Sequence, residues 1–151
     1  MTPPLAVLTG IYNVAMAAAA AAGITITGVV RKEPKRKPDD ENPFVIASPL
    51  DESELPDGQA RRQVKRTIIV AYMRPNDGKM QDLTAGSEWR AAVLASVSNL
   101  KKVTDAITAI EATSRVVNCE IDSRQPWELG RADMVFDILP VVVTVTTQEG
   151  Y

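Results

Sequence analysis

Residues 63–74 read Gln-Val-Lys-Arg-Thr-Ile-Ile-Val-Ala-Tyr-Met-Arg, and this stretch decides the fold class. Its central side chains are apolar on both faces of a strand: Ile68, Val70 and Tyr72 on one, Ile69, Ala71 and Met73 on the other. Such a pattern is typical of an inner strand that is covered on two sides. The turn signal Pro75-Asn76-Asp77-Gly78 ends the strand. We therefore expect a sheet with this strand away from its edges.

The segment before this strand predicts a long apolar helix. Residues 1–30 carry no charged side chain, Pro3 and Pro4 suit a first helical turn, and Gly23 suits a C-terminal cap. The length would fit a membrane span or a signal sequence, but alanine offers little apolar area and no basic residue precedes the stretch. The helix is apolar nearly all round. We expect it to lie in the core or to be covered in part by a second chain.

A second helix is predicted from a stripe with helical spacing. The stripe comprises Trp89, Val93, Val97, Leu100, Val103, Ile107 and Ile110. Ser87 is the predicted N-cap, and Lys101 and Lys102 suit a helix C-terminus, with an alternative restart at Thr104-Asp105. Trp89 on this stripe is interpreted as a core residue.

Period-two patterns predict the remaining strands, at residues 24–30, 44–47, 117–121 and 134–147. In the third of these, Val117, Cys119 and Ile121 are expected to face inward. Pro140 indicates an edge position or a bulge in the last strand. The sequence predicts an α+β fold: a mixed, mostly antiparallel sheet of four to five strands, flanked by an N-terminal helix and a central helix. Residues 1–151 form a single domain, and a charged loop or arm occupies about residues 31–42.

Composition excludes several kinds of chemistry. The 151 residues include no histidine and a single cysteine, so Ser-His-Asp and Cys-His catalysis, a disulfide framework and a cysteine-based zinc site are ruled out. No Gly-rich phosphate loop or other catalytic motif appears. The sequence predicts no enzyme, no cofactor and no metal site.

Charge is segregated along the chain although the net charge is only −2. Residues 31–37 hold five cations and one anion, acidic residues follow, and residues 61–66 are basic again. The arm at 31–37 has three interpretations: a solvated loop, contact with nucleic-acid phosphates, or contact with an acidic surface on another subunit. No aromatic residue is interleaved with the cations, so stacking on single strands is not predicted.

The order of the elements resembles the tail-terminator family of tailed bacteriophages. The long first helix, the strand near residues 64–73, the helix near Trp89 and the segment Val117-Asn118-Cys119-Glu120-Ile121 occur in that order. The ending at residues 136–146, Phe-Asp-Ile-Leu-Pro-Val-Val-Val-Thr-Val-Thr, looks like the family's closing strand. The resemblance implies a virion protein without enzymatic activity. It implies a ring, commonly a hexamer, that caps the tail tube and meets the head connector.

On this interpretation the chain contacts other copies of itself, the tail tube protein and connector or neck proteins, with a non-specific DNA contact left open and no membrane partner. The candidate interface residues are apolar on the first helix and basic elsewhere: Leu8, Ile11, Tyr12, Arg31, Lys32, Lys35, Arg36, Lys37, Arg61, Arg62, Lys65 and Arg66. Three alternatives stay open: a head-side neck adaptor, a head-completion protein, and a small nucleic-acid-binding module that uses the basic arm.

Overall fold

A computed structural model describes residues 2–23, 44–56, 61–75, 84–113, 115–121 and 136–150. In chain order the elements are helix α1 (Pro3–Ala21), strands β1 (Phe44–Pro56) and β2 (Arg61–Pro75), helices α2 (Thr84–Val97) and α3 (Leu100–Thr108), and strands β3 (Arg115–Ile121) and β4 (Phe136–Gly150). The strands form one sheet in the order β1-β2-β4-β3. The α+β prediction is confirmed. Every pair among the described strands is antiparallel, so this part of the sheet is not mixed. The predicted strand at residues 24–30 and the arm lie outside the described residues.

Strand β2 is an inner strand, as its sequence predicts. It pairs with β1 on one side and along its whole length with β4 on the other. Val70 and its neighbours on adjacent strands pack against the helices, together with Val45 and Val143. Ile69 and Val142 alternate with these residues and are buried on the opposite face. The apolar character of both faces therefore corresponds to burial on both faces.

Helix α1 packs into its own subunit. Nine of its residues are buried, and it contacts α2, α3, β1 and β2. By length and hydropathy alone it would also pass as a membrane span. Its packing agrees with the prediction of a core helix. Trp89 of α2 is fully buried beneath it, donates its indole N–H to the carbonyl of Ala15 at 3.3 Å, and lies 5.8 Å from the ring of Tyr72.

The central helical region differs from the prediction at its start and in its middle. It begins at Thr84, so Ser87 lies inside α2 and is not its N-cap. The helix breaks at Asn99, whose side chain accepts hydrogen bonds from the backbone N–H groups of Lys101 and Lys102. These two lysines therefore begin α3 and do not end a helix. The stripe is buried on both sides of the break except at Leu100, which is exposed, and at Ile110, which is half-buried after the end of α3.

Two strands differ from their predicted extent or orientation. The acidic stretch after Ala47 continues β1 as far as Pro56, past an irregularity at Leu50, because its backbone pairs with β2. In β3 the register shifts between Val116 and Asn118, so Val116 faces the core and Val117 is exposed. The predicted inward orientation of Val117 was wrong. Ile121 lies opposite Val143 on the core-facing side, as the alternation predicts, but it is exposed at the end of the strand.

Among the described residues, Pro140 lies on a part of β4 that pairs on one side only. It sits opposite Ala71 of β2, whereas β3 pairs only with residues 143–148 of β4. The missing N–H of proline therefore interrupts no ladder with β3. The Pro140 carbonyl accepts a hydrogen bond from Nε of Arg90 at 3.2 Å, which ties α2 to this end of β4.

We expect Gly10→Ala to destabilise the fold because α1 and α3 meet at this glycine. A Cβ atom at position 10 would lie 2.7 Å from Cγ1 of Ile107 and 3.2 Å from its Cα. Overpacking of this kind costs about 1–3 kcal/mol, which exceeds the gain of at most about 1 kcal/mol in helix propensity. Urea unfolding measures the change in free energy.

The matched control is a double-mutant cycle with Ile107→Ala, which removes the clashing Cγ1 atom. The double variant should lose less stability than the sum of the two single variants. A Gly10→Ala protein more stable than the parent would show that the two helices are not in close contact here.

Candidate functional site

The structure buries two of the residues that were predicted to contact a neighbouring subunit. Ile11 is 0% exposed and Tyr12 is 8% exposed, both within the core of their own subunit. They leave no surface for a second chain, so their assignment to an interface was wrong. Leu8 is half-buried and lines a surface groove described below. The predicted cations of the arm, Arg31, Lys32, Lys35, Arg36 and Lys37, lie outside the described residues.

The four predicted cations of β2 do not form one exposed patch. Arg61 and Lys65 are exposed, and Arg62 pairs with Glu54 of β1 at 2.7 Å on the surface. Arg66 is different because its side chain is only 6% exposed. Arg66 therefore takes part in internal packing, and its assignment to an exposed interface was wrong.

Arg66 forms a buried ion pair with Glu149 of β4. Its two terminal nitrogens donate to the two carboxylate oxygens at 2.8 and 3.2 Å, and the Glu149 side chain is 4% exposed. The hydroxyl of Thr147 lies 3.2 Å from Arg66 and 2.9 Å from Glu149. Glu52 of β1 adds a longer contact at 3.4 Å. One guanidinium thus links three strands.

Strand alternation explains why this arginine is inside. Arg66 shares its face with Ile68 and Val70, and Glu149 shares its face with Val145 and Val143. Arg66 belongs to the basic run at residues 61–66 and was predicted with it, whereas no sequence signal singles out Glu149. Counting by twos from the buried centre of β2 would have placed Arg66 on the inner face.

A groove of about 570 Å³ opens between the start of α1 and strands β1 and β2. Its walls are mostly apolar and include Leu5, Leu8, Leu50 and Ile68. Asp51, Glu52 and Arg66 lie at its polar end, where Arg66 is already paired with Glu149. The groove is better suited to bind an apolar side chain than to catalyse a reaction. Arg66, the one buried cation in its lining, is neutralised by Glu149 of the same chain.

Both outer strands of the described sheet are exposed over much of their length. Every residue of β1 from Pro49 to Pro56 is exposed, and Val116 is the one buried residue of β3. Six large apolar side chains stay exposed on the described residues: Leu5, Leu50, Leu55, Leu100, Val117 and Ile121. Four of the six belong to β1 or β3. Within the described part of the chain, most of the exposed large apolar side chains therefore lie on the two outer strands.

The described residues offer little for covalent or metal chemistry. They contain no group of three side chains of the His, Cys, Asp and Glu types that could hold a metal ion. Cys119 is half-buried on β3, and burial, with a smaller contribution from the charge of Glu120, raises the pKa of its thiol to about 12. A thiol with this pKa is protonated at neutral pH and is a poor nucleophile.

Comparison with known proteins adds no family assignment. No protein-family model matches the chain. No curated protein matches it either.

We expect Glu149→Gln to destabilise the protein strongly because it leaves the Arg66 charge buried without its partner. Breaking a buried pair in this way costs about 3–5 kcal/mol. The matched control is Glu54→Gln, which breaks the exposed pair with Arg62 and should cost less than about 1 kcal/mol. Urea unfolding of both variants checks the difference.

A second variant separates charge from packing at this site. Replacing both partners, Arg66→Met with Glu149→Leu, should recover much of the lost stability because no buried charge remains. Equal losses for Glu149→Gln and Glu54→Gln would contradict the role assigned to the buried pair.

We expect Cys119 to react slowly with iodoacetamide in the native protein. With a pKa of about 12, roughly one thiol in ten thousand is ionised at pH 8, and the rate should rise about tenfold per pH unit below that pKa. The urea-unfolded chain is the control and should react at the rate of an ordinary cysteine. Equal rates for the native and unfolded chains would refute the assigned burial.

Proposed function

We propose that the protein is a structural subunit that assembles with copies of itself into a closed ring, as a phage tail terminator does. The observation that supports the proposal is the exposure of both outer strands, β1 and β3, together with most of the exposed apolar side chains. Such a role requires contact surfaces and no reaction.

The edge strands of a sheet are places where another chain can add. An edge strand presents unpaired backbone N–H and C=O groups, and natural proteins cover such edges or disrupt them. The described part of this sheet ends in β1 on one side and in β3 on the other. A ring of head-to-tail contacts would cover both edges of every copy at once.

The order of elements and the closing Val-Thr strand resemble those of the tail-terminator family. This resemblance is the reason for proposing that the ring is a tail terminator. A terminator ring sits in the virion, caps the tail tube on one face and meets the head connector on the other. The exposed charges that the structure describes on the sheet, Arg61 and Lys65 among them, are available for those faces. A head-side neck adaptor is the nearest alternative.

We expect the purified chain to form a discrete closed oligomer at high concentration. Six copies of the 16.4 kDa chain would have a mass of about 98 kDa. Light scattering after size exclusion, with native mass spectrometry, measures the stoichiometry. A chain that stays monomeric at its highest soluble concentration, or an open-ended polymer, would contradict a ring.

On this proposal, loss of the protein should change how tails and heads assemble in the virus that encodes it. Tails assembled without the protein should lack the terminal ring and should fail to join heads, as seen by electron microscopy. Complete tails that still carry their end ring, beside heads that lack a neck, would favour the adaptor instead. Strong, salt-sensitive duplex binding by the free chain would favour a nucleic-acid module.

A further inference from the structure

We infer that the sheet face opposite the helices binds the phosphate backbone of duplex DNA. Three exposed cations form the contact: Arg61 and Lys65 of β2 and Arg115 of β3. We call these three residues the basic patch. The contact does not depend on base sequence, and it is weak at physiological salt because it neutralises few phosphates. This inference goes beyond the ring and does not rest on it.

Strand alternation divides the basic run of β2 between the two faces of the sheet. Arg62 and Arg66 lie on the helix side, where carboxylates of β1 and β4 balance their charges. Arg61 and Lys65 alternate with them, so they lie on the other face, and both are exposed. The fold therefore neutralises one half of the run and leaves the other half to solvent.

Arg115 of β3 completes the basic patch. It pairs in register with Gln148 of β4, which lies opposite Gln63 of β2, so these three residues share one row and one face. Arg61 and Lys65 lie two residues before and two residues after that row. With about 3.3 Å per residue and about 4.8 Å between strands, the Cα atoms of the three cations lie about 12–13 Å apart.

The charges of the basic patch are not balanced within the described part of the chain. Arg61 donates to Oε1 of Gln148 at 3.4 Å, and this acceptor is neutral. Among the described residues, the side chains of Lys65 and Arg115 have neither a hydrogen bond nor an ion pair. All three cations are therefore available to an external anion.

Two carboxylates limit the basic patch on the side of the sheet centre. Asp51 and Glu120 lie in the row of Thr67, one row beyond Lys65. Glu120 accepts a hydrogen bond from Nδ2 of Asn118 at 2.6 Å, and Asp51 also takes part in an interaction within the chain. The positive surface is therefore confined to the end of the sheet where β2 begins.

Duplex DNA fits this arrangement better than other polyanions do. A duplex presents about seven phosphates over 12 Å of its axis, so three cations meet phosphates without a matched layout of acidic side chains. Ser53 and Asn118, exposed beside the basic patch, are of types that donate to phosphate oxygens. None of the described residues in these rows is aromatic, so a single strand gains no stacking. Three cations are also fewer than the roughly four to eight typical of a segment that binds anionic lipid.

The test measures binding of the full chain to a duplex of about 20 base pairs by fluorescence anisotropy, between about 20 and 200 mM salt. Three phosphate contacts give a slope of log K against log salt of about −2.7, or a steeper one if residues 31–37 also bind. The affinity should therefore fall roughly 500-fold or more over this range. Lys65→Gln and Arg115→Gln should each make the slope shallower by about 0.9.

Lys102→Gln is the matched control. It removes the same charge from an exposed lysine of α3, on the other side of the sheet, and should leave the slope unchanged. Urea unfolding confirms that the three variants fold like the parent, because each replaced side chain is exposed. Light scattering on the same samples gives the oligomeric state, so that equal species are compared.

The outcomes separate this inference from the proposed function. An unchanged slope in Lys65→Gln and Arg115→Gln would place DNA binding elsewhere on the chain and would overturn the inference. An equal effect of Lys102→Gln, or no binding by the parent at the lowest salt, would also overturn it. Tighter binding of a poly-glutamate peptide than of the duplex, weakened by the same two variants, would identify an acidic protein as the partner instead. A ring that binds no DNA would leave the proposed function intact.

Discussion

The centre of β2 has to leave water on both faces because Ile68, Ile69 and Val70 give it no polar side. This constraint places β2 inside the sheet, between β1 and β4, and brings the helices against one of its faces. Because β2 pairs on both sides, the outermost strands of the described sheet are β1 and β3, and most of the exposed large apolar residues of the described chain lie on them.

The buried ion pair between Arg66 and Glu149 holds the N-terminal half of β2 in the same arrangement of strands. Arg66 sits on the inner face and reaches Glu149 only in the observed register, because a shift of one residue would turn one of the two side chains to the other face. The apolar centre of β2 determines which of its side chains face the core. The ion pair adds a free-energy cost for any other register between β2 and β4. Because the Arg66 guanidinium carries its charge within the fold, the electrostatic surface differs from the one that the basic run predicts.

Much of the fold follows from periodicity, and the errors have local causes. Three features could be predicted because each depends on one strong signal. They are the inner position of β2, the burial of Trp89, and the position of Pro140 where the described β4 pairs on one side only. The full length of β1 could not, because backbone pairing with β2 overrides its acidic composition. Asn99 breaks the central helix by capping the start of α3, and the continuous apolar stripe gives no sign of this break. The irregularity at Val117 turns that side chain to the other face of the strand. At the candidate site, Ile11 and Tyr12 were assigned outward because an apolar helix does not show which face meets its own subunit.

The two outer strands of the described sheet carry different features that oppose pairing with another strand. The exposed half of β1 holds prolines at 49 and 56 and three carboxylates, which oppose pairing with another β1. Strand β3 has the irregularity at Val117, which disturbs a flat edge. The prolines and the irregularity act against any strand that would add to these edges, because a proline has no N–H to donate and an irregular edge pairs poorly. Head-to-tail contacts that repeat around an axis close into rings. Contacts between two like edges stop at dimers.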